Sequence, residues 1–582
     1  MARRRRGGVR LSGGGEPFAV RFRPFGSSRG VEKTVDTTMR EDNRNRPMPF
    51  RYTLLALAFL ASSVQAQTPG SCSLGTATSE LSASDVRASL ATTGRLFSEG
   101  GSPGYEVPLG GGVHAFFAAH LWFGGQVGGD VRTSASIRSD VQELWPGPLD
   151  DGAALPDADD CSAFDRIYRV STADVAAYDA GGAPTADLAD WPVGLGAPAV
   201  DANGDAVVPT DRAETVDLAA GERPVLYGAE TAFWVMNDVG NEHTFSATPP
   251  LGIEVRVSAF AVSAPAEPAL DRATFYRIET VNRSAAPIED FRLGLWADVD
   301  LGDASDDYVG SDAEREMLYV YNADDDDAGG YGTAPPALGV DILSGAAGAG
   351  FHYKNSLFLG EPQDASWIDA YLRSQWQDGT PLTRGGDGYQ DGGEVTTWIW
   401  DGEPETQSFW SETDIAPEPG PQPNDPQDRR AFISATPTTL APGAASTVDI
   451  GIVYARGTDH LDSVAELRAA SDVVQARYDD GSLFEAVLVA DEPAPTAGVR
   501  LDAPHPNPTR GDASVGFALD APDAVRIQIV DALGRTVAVL TDRSYHTGPH
   551  RIEIGASLTP GVYSLVMDAG GTRTVRRLTV VR

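Results

Sequence analysis

Runs in which apolar and polar side chains alternate constrain the fold of this chain more than any other feature. In residues 254–257 (EVRV) every second side chain is apolar, and residues 274–281 (TFYRIETV) form a longer run of this type. Successive side chains of a β-strand point to opposite faces, so the pattern predicts strands with one face in a core. Similar patterns predict strands at 113–124, 131–137, 251–262, 273–282, 291–299, 397–400 and 446–454. Residues 67–490 are therefore predicted to form a large β-rich body with few helices.

Helical spacing is confined to two segments of the body. Residues 461–478 carry apolar side chains three and four positions apart, which places them on one face of a helix. Residues 81–100 show a weaker form of the same spacing. We therefore expect a long helix late in the body and a second helical stretch near its beginning.

An acidic segment with two prolines, residues 491–500, separates the body from a compact C-terminal unit. Proline keeps such a segment extended, which is typical of a linker. Beyond it, short strand patterns alternate with turn sequences, at 513–519, 524–530, 536–540, 550–554, 561–568 and 572–581. This spacing predicts that residues 501–582 form an Ig-like antiparallel β-sandwich.

Four motifs occur in order within this unit: 504–508 (PHPNP), 531–535 (DALGR), 558–563 (LTPGVY) and 577–581 (RLTVV). Together they resemble the type A C-terminal sorting domain of the type IX secretion system, a Bacteroidetes family whose members more often carry lysine where Arg577 stands. The resemblance implies export by the Sec pathway through the periplasm and binding of the type IX secretion machinery through residues 501–582. It also implies release from, or attachment to, the outer cell surface. An ordinary Ig-like module is the alternative.

The N-terminal region also predicts export. Residues 48–66 combine Arg51, an apolar run at 54–61 and the small-residue site 64–66, which is typical of a secretory signal peptide with the mature chain starting at Gln67. A buried helix of the folded domain is the alternative. Residues 1–47 are treated as a doubtful upstream extension. No other segment has about eighteen consecutive apolar residues, so we expect no transmembrane segment.

The body resembles a large group of uncharacterised Bacteroidetes surface proteins, which usually carry the same sorting domain. The segments that carry this resemblance include 119–125 (AHLWFGG), 144–150 (LWPGPLD) and 233–238 (FWVMND). It covers most of residues 70–490. It implies a surface location and no particular reaction, so no catalytic residue is transferred from it.

Residue counts restrict the partners and the compartment. With 83 Asp and Glu against 45 Lys and Arg, the formal net charge is −38, which argues against nucleic acid as a partner. The 2 cysteines, Cys72 and Cys161, both follow the predicted cleavage site. In an oxidising compartment such a pair predicts a disulfide, with two free buried thiols as the alternative.

Two acidic segments carry the oxygen ligands that calcium prefers. Asp201, Asn203 and Asp205 have the alternate spacing of a calcium-binding turn without completing an EF-hand, and a solvated Asx turn is the alternative. The denser set directly follows a predicted strand and consists of Asp298, Asp300, Asp303, Asp306, Asp307 and Asp312. Carboxylates this close repel one another unless a cation bridges them. We therefore predict calcium at this second segment, with a solvated acidic surface as the alternative.

The function predicted from these features is a binding role. The sequence contains no H-E-x-x-H, Walker or Rossmann motif. We therefore predict a non-enzymatic, calcium-stabilised surface or adhesive protein, and the alternative is a secreted hydrolase that acts on polysaccharide. Aromatic residues between 367 and 410 are the candidate platform for a surface glycan, with burial in the core as the alternative: Trp367, Trp376, Tyr389, Trp398, Trp400 and Trp410.

Overall fold

The computed structural model describes residues 71–582 with several gaps. The gaps are 138–141, 156–160, 345–346, 355–359, 390–391, 407–409, 413–424, 486–499, 502–503, 505–508, 510–512, 520–521, 532–534, 547, 555–557, 560, 570–571 and 581–582. The upstream segment 1–47, the signal peptide predicted at 48–66 and nearly all of the linker predicted at 491–500 lie outside the described residues.

The chain is mainly β, which confirms the predicted fold class, and two large antiparallel sheets make up the body. The first sheet runs in the order Ala347–Lys354, Arg429–Ala435, Ile288–Val299, Ala118–Val127, Arg95–Leu96, Arg87–Ala91, Tyr105–Glu106 and His114–Phe116, with Thr78–Leu81, Asp130–Ser134 and Thr438–Leu440 paired beside this path. The second sheet runs in the order Trp145–Pro146, Glu230–Asn237, Ile253–Ala261, Ala273–Asn282, Ala445–Ala455, Ala337–Ile342, Met317–Asn322 and Asp307–Asp312, with Tyr168–Ser171 beside Glu230–Asn237. Three small pairs are Ser98–Glu99 with Ser102–Pro103, Ala199–Val200 with Arg223–Pro224, and Asp326–Asp327 with Gly332–Thr333.

The main core lies between the two sheets. Trp122 and Trp296 of the first sheet are buried and stack with their ring centroids 6.2 Å apart, and Trp234 of the second sheet belongs to the same apolar cluster. On the opposite face of the strand that carries Trp234, Phe233 and Val235 join a separate cluster. Both faces of that strand are therefore buried, and its sequence is a continuous apolar run instead of an alternating one.

One long helix covers part of the second sheet. It spans His460–Asp479 and confirms the helix predicted at 461–478. The Asp459 side chain accepts hydrogen bonds from the N–H groups of Leu461 and Asp462, which caps the first turn. Its apolar face packs against residues of the second sheet. The other helical segments are short: Cys161–Phe164, Thr172–Asp179, Ala186–Ala189, Val193–Leu195, Pro268–Asp271, Ala365–Leu372 and Ser482–Glu485. Within the described residues, no helix combines the length and the hydropathy that a membrane crossing requires.

Two predictions of local structure are wrong. The helical stretch expected at 81–100 consists of short strands, because Ala88 and Leu90 alternate into the core and Gly94, at φ +72°, turns the chain. The strand expected at 397–400 is an irregular segment with one isolated bridge, between Trp398 and Gly350. Ile399 and Trp400 are both buried here, so the apolar side chains reflect packing in the core and not one face of a strand.

The C-terminal unit consists of two small antiparallel sheets. One contains Arg500–Leu501, Ala513–Leu519 and Gly548–Ile554, and the other contains Thr536–Tyr545, Asp523–Asp531, Gly561–Ala569 and Thr572–Val580. Side chains from both sheets, among them Val515 and Ile527, form one buried apolar cluster. Two sheets that face each other across a single core are a β-sandwich.

A disulfide joins Cys72 to Cys161, which lie 89 positions apart in sequence, with Cα atoms 5.5 Å apart. Closing a loop of this length removes conformational entropy from the unfolded chain. We expect Cys72→Ser with Cys161→Ser to lower the free energy of unfolding by roughly 4 kcal/mol. Chemical denaturation of oxidised and reduced protein measures this loss. Mass spectrometry of unreduced peptides that found two free thiols would contradict the pairing.

Candidate functional site

The six aspartates of the 298–312 segment are divided by the fold between two strands and the loop that joins them. Asp298 lies near the end of strand Ile288–Val299, and residues 300–306 form the loop. Asp307 begins the strand Asp307–Asp312, so the segment is not the single loop that the sequence indicated. Alternate burial of Asp307 and Val309 explains the second strand. At about 3.3 Å per residue, Asp312 lies about 17 Å from Asp307.

The loop brings a group of oxygen-bearing side chains to one end of the second sheet, which we call the acidic cluster: Asp300, Asp306, Asp307, Asn322 and Asp327. Asp307 is paired with Asn322 in the neighbouring strand. The Asn322 side-chain amide donates to Asp306 Oδ1 at 2.7 Å. Asp327 accepts from the N–H groups of Asp303 at 3.1 Å and Tyr331 at 2.6 Å. These two bonds hold the Asp327 carboxylate between the 300–306 loop and the backbone at Tyr331.

A glycine makes this approach possible. Gly302 has φ +83°, and a Cβ at this position would overlap the Asp327 carboxylate. A non-glycine residue would be strained there by the backbone angle and excluded by the close contact. Gly302 therefore lets the 300–306 loop lie directly against Asp327.

The electrostatics of the acidic cluster are unfavourable without a counterion. Asp307 is fully buried, and burial raises its pKa well above the usual range. Burial, followed by the neighbouring Asp327, raises the pKa of Asp306 to about 6. Burial, followed by Asp428, raises the pKa of Asp300 to about 6. In the described part of the chain, Asp307 Oδ1 and Asn322 Oδ1 are buried and have no hydrogen-bond donor. A cation would satisfy both oxygens and offset the repulsion between the carboxylates.

A second group of carboxylates adjoins the acidic cluster and is paired with an arginine side chain. Asp298, Asp300 and Asp428 can bring one oxygen each within 4.8 Å of one another. The Arg430 guanidinium forms ion pairs with Asp298 and Asp428. Burial nevertheless raises the pKa of Asp298 to about 8, against the effect of Arg430. Arg430 therefore already supplies positive charge to this group, whereas the described residues show no such ion pair for Asp306 and Asp307.

The side chains of Asp303 and Asp312 are not members of the acidic cluster. The Asp303 carboxylate accepts from the N–H and hydroxyl groups of Ser305, which lowers its pKa. Asp312 forms ion pairs with Arg315 at 2.9 Å and Arg468 at 3.2 Å. Both carboxylates therefore have local partners.

The 201–205 segment forms a turn around its own first residue. The Asp201 carboxylate accepts from the N–H groups of Asn203 at 2.8 Å and Asp205 at 3.0 Å, and these bonds lower the pKa of Asp201. This is the arrangement of an Asx turn. Asn203 and Asp205 are exposed, and Glu214, which could have completed a site, accepts from Thr210 instead.

Three residues that were not among the predicted metal ligands adjoin the predicted site: Asn322, Asp327 and Asp428. The acidic run 324–327 was a visible signal for one of them. Asn322 is paired with Asp307, and Asp428 directly precedes a strand that is paired with residues 294–299, so no local sequence pattern identifies either residue.

A pocket of about 240 Å³ lies at the candidate aromatic platform and is lined by His352, Trp376, Gln377, Asp378, Asp387, Tyr389 and Trp400. Tyr389 is exposed, Trp376 is half-buried, and Trp400 is buried. Trp410 is buried beside the pocket, and Trp367 and Trp398 are half-buried elsewhere. The aromatic residues are therefore divided between a core and a pocket wall.

One hydrolase motif also occurs in the chain. Residues 100–104 (GGSPG) have the G-x-S-x-G spacing of a hydrolase nucleophile. They lie in and beside the turn between the short strands Ser98–Glu99 and Ser102–Pro103. A catalytic serine of this type requires a strand-to-helix turn, so the match carries no chemistry here.

One comparison with known proteins identifies the C-terminal unit. Residues 504–581 match the family model described as a secretion system C-terminal sorting domain. No curated protein matches the chain. A solved structure named as a polysaccharide lyase aligns with 56% of this chain at 10% identity and a TM-score of 0.15, which is too low to indicate a common fold. The chain spans about a third of that structure's length (34%). The family match confirms the predicted sorting domain: residues 504–581 are a C-terminal sorting domain of the type IX secretion system, which directs a protein to the cell surface or the extracellular space.

Proposed function

We propose that the body of this exported chain is a calcium-stabilised, non-enzymatic binding protein of the cell surface. In this proposal a Sec signal peptide at 48–66 delivers the chain to the periplasm, and residues 501–582 bind the type IX secretion machinery. The organism is a member of the Bacteroidetes. The acidic cluster holds a structural calcium ion, and the aromatic pocket supplies the binding role.

The observation that carries the calcium proposal is the buried Asp307 oxygen without a donor among the described residues. Leaving a buried carboxylate oxygen unpaired costs free energy, and Asp306, Asp300 and Asp327 are close enough to raise that cost. Calcium takes six to eight oxygen ligands, including carboxylates, carbonyls and water, and tolerates irregular geometry. Neighbouring aspartates with one asparagine at the end of a sheet supply the oxygen ligands that this ion takes.

Removal of calcium should destabilise the body. A ligand that binds only the folded state stabilises it by roughly 2.7 kcal/mol at a hundredfold excess over its dissociation constant. We expect a chelator to lower the melting temperature by about 2–5 °C, calcium to restore it, and sodium at equal ionic strength to leave it low. Differential scanning calorimetry of the mature chain measures the shift.

Paired variants locate the site. Asp300→Ala with Asp306→Ala should remove most of the calcium response. Asp130→Ala with Asp205→Ala removes the same charge from exposed positions, one of them in the 201–205 turn, and should leave the response intact. A melting curve that is insensitive to chelator would leave the acidic cluster as a solvated acidic surface. A response lost only in the second pair would place the ion at 201–205.

The alternative is a hydrolase that acts on polysaccharide, and the pocket with its two aspartates is the feature in its favour. Hydrolysis of a glycosidic bond needs one carboxyl group that is protonated at the working pH. The N–H group of Thr380 donates to Asp378, and this bond lowers the pKa of Asp378. That direction is opposite to the one a general acid requires, so Asp378 is not suited to the role of general acid. A screen for reducing ends released from polysaccharides by wild type but not by Asp378→Asn or Asp387→Asn would favour the hydrolase.

A further inference from the structure

We propose that the pocket between Trp376, Tyr389 and Trp400 binds one neutral pyranose ring of a glycan. This inference rests on the proposed binding role and identifies its ligand class. Four features of the pocket carry it: the aromatic walls, the fixed position of Trp400, the carboxylate acceptors and the charge of the lining.

The walls of the pocket are aromatic and meet at a right angle. The rings of Trp376 and Tyr389 have centroids 5.7 Å apart and an interplanar angle of 87°. On the inner side, His352 and Trp400 lie 5.1 Å apart at 33°. A flat face of C–H groups, such as one side of a pyranose, packs well on an aromatic ring with a negative face. Two perpendicular walls accommodate the face of one such ring and its edge.

Trp400 is held in an unusual backbone conformation. Its φ is +44°, a left-handed value that is unfavourable for a bulky residue. The Trp400 carbonyl accepts from the N–H group of Ser311 at 3.2 Å, and the Ser311 hydroxyl donates to the preceding carbonyl of Ile399. The second sheet therefore fixes this side chain in the pocket wall. Its indole N–H is buried and has no acceptor among the described residues.

The pocket also carries acceptors for hydroxyl groups. Asp378 accepts from the Tyr389 hydroxyl at 2.8 Å, and Asp387 accepts from the Tyr389 backbone N–H at 3.0 Å. Each carboxylate has about four lone-pair sites, so both can accept further hydrogen bonds. Their bonds to Tyr389 orient them around the exposed ring. Sugar hydroxyl groups are donors of the type that such fixed carboxylates bind.

The volume and the charge of the pocket restrict the class of ligand that it can bind. A volume of about 240 Å³ is below the roughly 300–1,000 Å³ of sites for drug-sized ligands, which fits one ring better than an oligosaccharide. The described lining residues include two aspartates and no lysine or arginine. A uronic acid or a sialic acid would therefore meet like charge without compensation. The pocket is suited to a neutral hexose.

Isothermal titration of the mature chain with methyl glycosides tests the proposal. The probes are the methyl pyranosides of glucose, galactose and mannose, with methyl glucuronide as the acidic counterpart. We expect at least one neutral probe to bind with a dissociation constant near or below about 1 mM. We expect the glucuronide to bind at least tenfold more weakly. No saturable binding of any neutral probe up to about 10 mM, or a preference for the glucuronide, would overturn the proposal.

Matched variants connect the binding to the pocket. Tyr389→Ala removes an exposed ring, so it should fold normally and weaken binding at least tenfold. Trp376→Ala should do the same, and Trp367→Ala, which removes a half-buried tryptophan outside the pocket, should bind as wild type does. Equal affinity of wild type and Tyr389→Ala would place the sugar elsewhere and refute this pocket.

The same titrations with calcium and with chelator separate this inference from the proposed function. Sugar binding without any effect of chelator on the melting temperature would contradict the calcium proposal and support the sugar-binding pocket. A calcium response without sugar binding would contradict the sugar-binding pocket and support the calcium proposal.

Discussion

Deletion of residues 501–582 should stop export and leave the mature body in the periplasm. The deleted unit has its own apolar core, formed by side chains from both of its sheets, and the body has separate cores. The truncated body should therefore still fold, so its retention would report the loss of the sorting signal. Cell fractionation and immunoblotting in a host with the type IX machinery measure the distribution. We expect surface or medium protein to fall by at least tenfold.

A graft provides the control for this deletion. Residues 491–582 fused to a periplasmic carrier should move the carrier to the surface or the medium. Secretion of the truncated chain at the level of the full chain would contradict the assignment of the signal to this unit. Sequencing of the N-terminus of the exported protein checks the predicted mature start at Gln67.

Replacement of Arg429 by methionine should destabilise the body by about 3–5 kcal/mol. Arg429 and Glu412 form an ion pair at 2.5 Å, and both side chains are almost completely buried. The second Glu412 oxygen accepts from the N–H group of Val309 at 2.7 Å, so the carboxylate cannot turn towards solvent without loss of a further bond. The variant leaves the buried Glu412 carboxylate without the Arg429 guanidinium. Removal of one member of a buried ion pair is strongly destabilising.

Two further variants distinguish loss of the charge partner from loss of packing. Arg429→Met with Glu412→Gln removes both charges and should recover most of the lost free energy of unfolding. Arg477→Ala breaks the half-exposed pair with Glu267 and should cost less than about 1 kcal/mol. Urea denaturation measures all three. A single variant Arg429→Met that unfolds like wild type would show that water reaches Glu412.

Polar residues within an apolar segment made one strand predictable from the sequence, and their absence hid another. The strand predicted at 273–282 has the bounds Ala273–Asn282, because Arg277 and Glu279 interrupt its apolar residues. Met317–Asn322 is fully buried and gives no alternation, so it was not predicted. The helix predicted at 81–100 was wrong because this segment consists of very short strands separated by small residues and turns, which are too short to show alternation.

The acidic cluster could be predicted only in its local part. Asp306 and Asp307 are adjacent in sequence and stand beside a strand, which a pattern can identify. Asn322 lies in a paired strand and Asp428 directly precedes one, and the sequence does not encode the register of these pairings locally. The separation of Asp312 has the converse cause: residues that are neighbours in sequence lie far apart when the chain between them is extended.

The long-range pairings of the two sheets also set the order in which the body can form. His120 pairs with Trp296, and that strand is completed by residues near Phe432, while Tyr276 pairs with Ile450. Loop closure between such distant segments is slow, and its entropic cost precedes the contacts that offset it. Neither sheet can therefore close before the segment that follows residue 428 is available. The body should therefore complete its core only when its C-terminal strands are available, so a chain that ends before residue 428 should not reach the native fold.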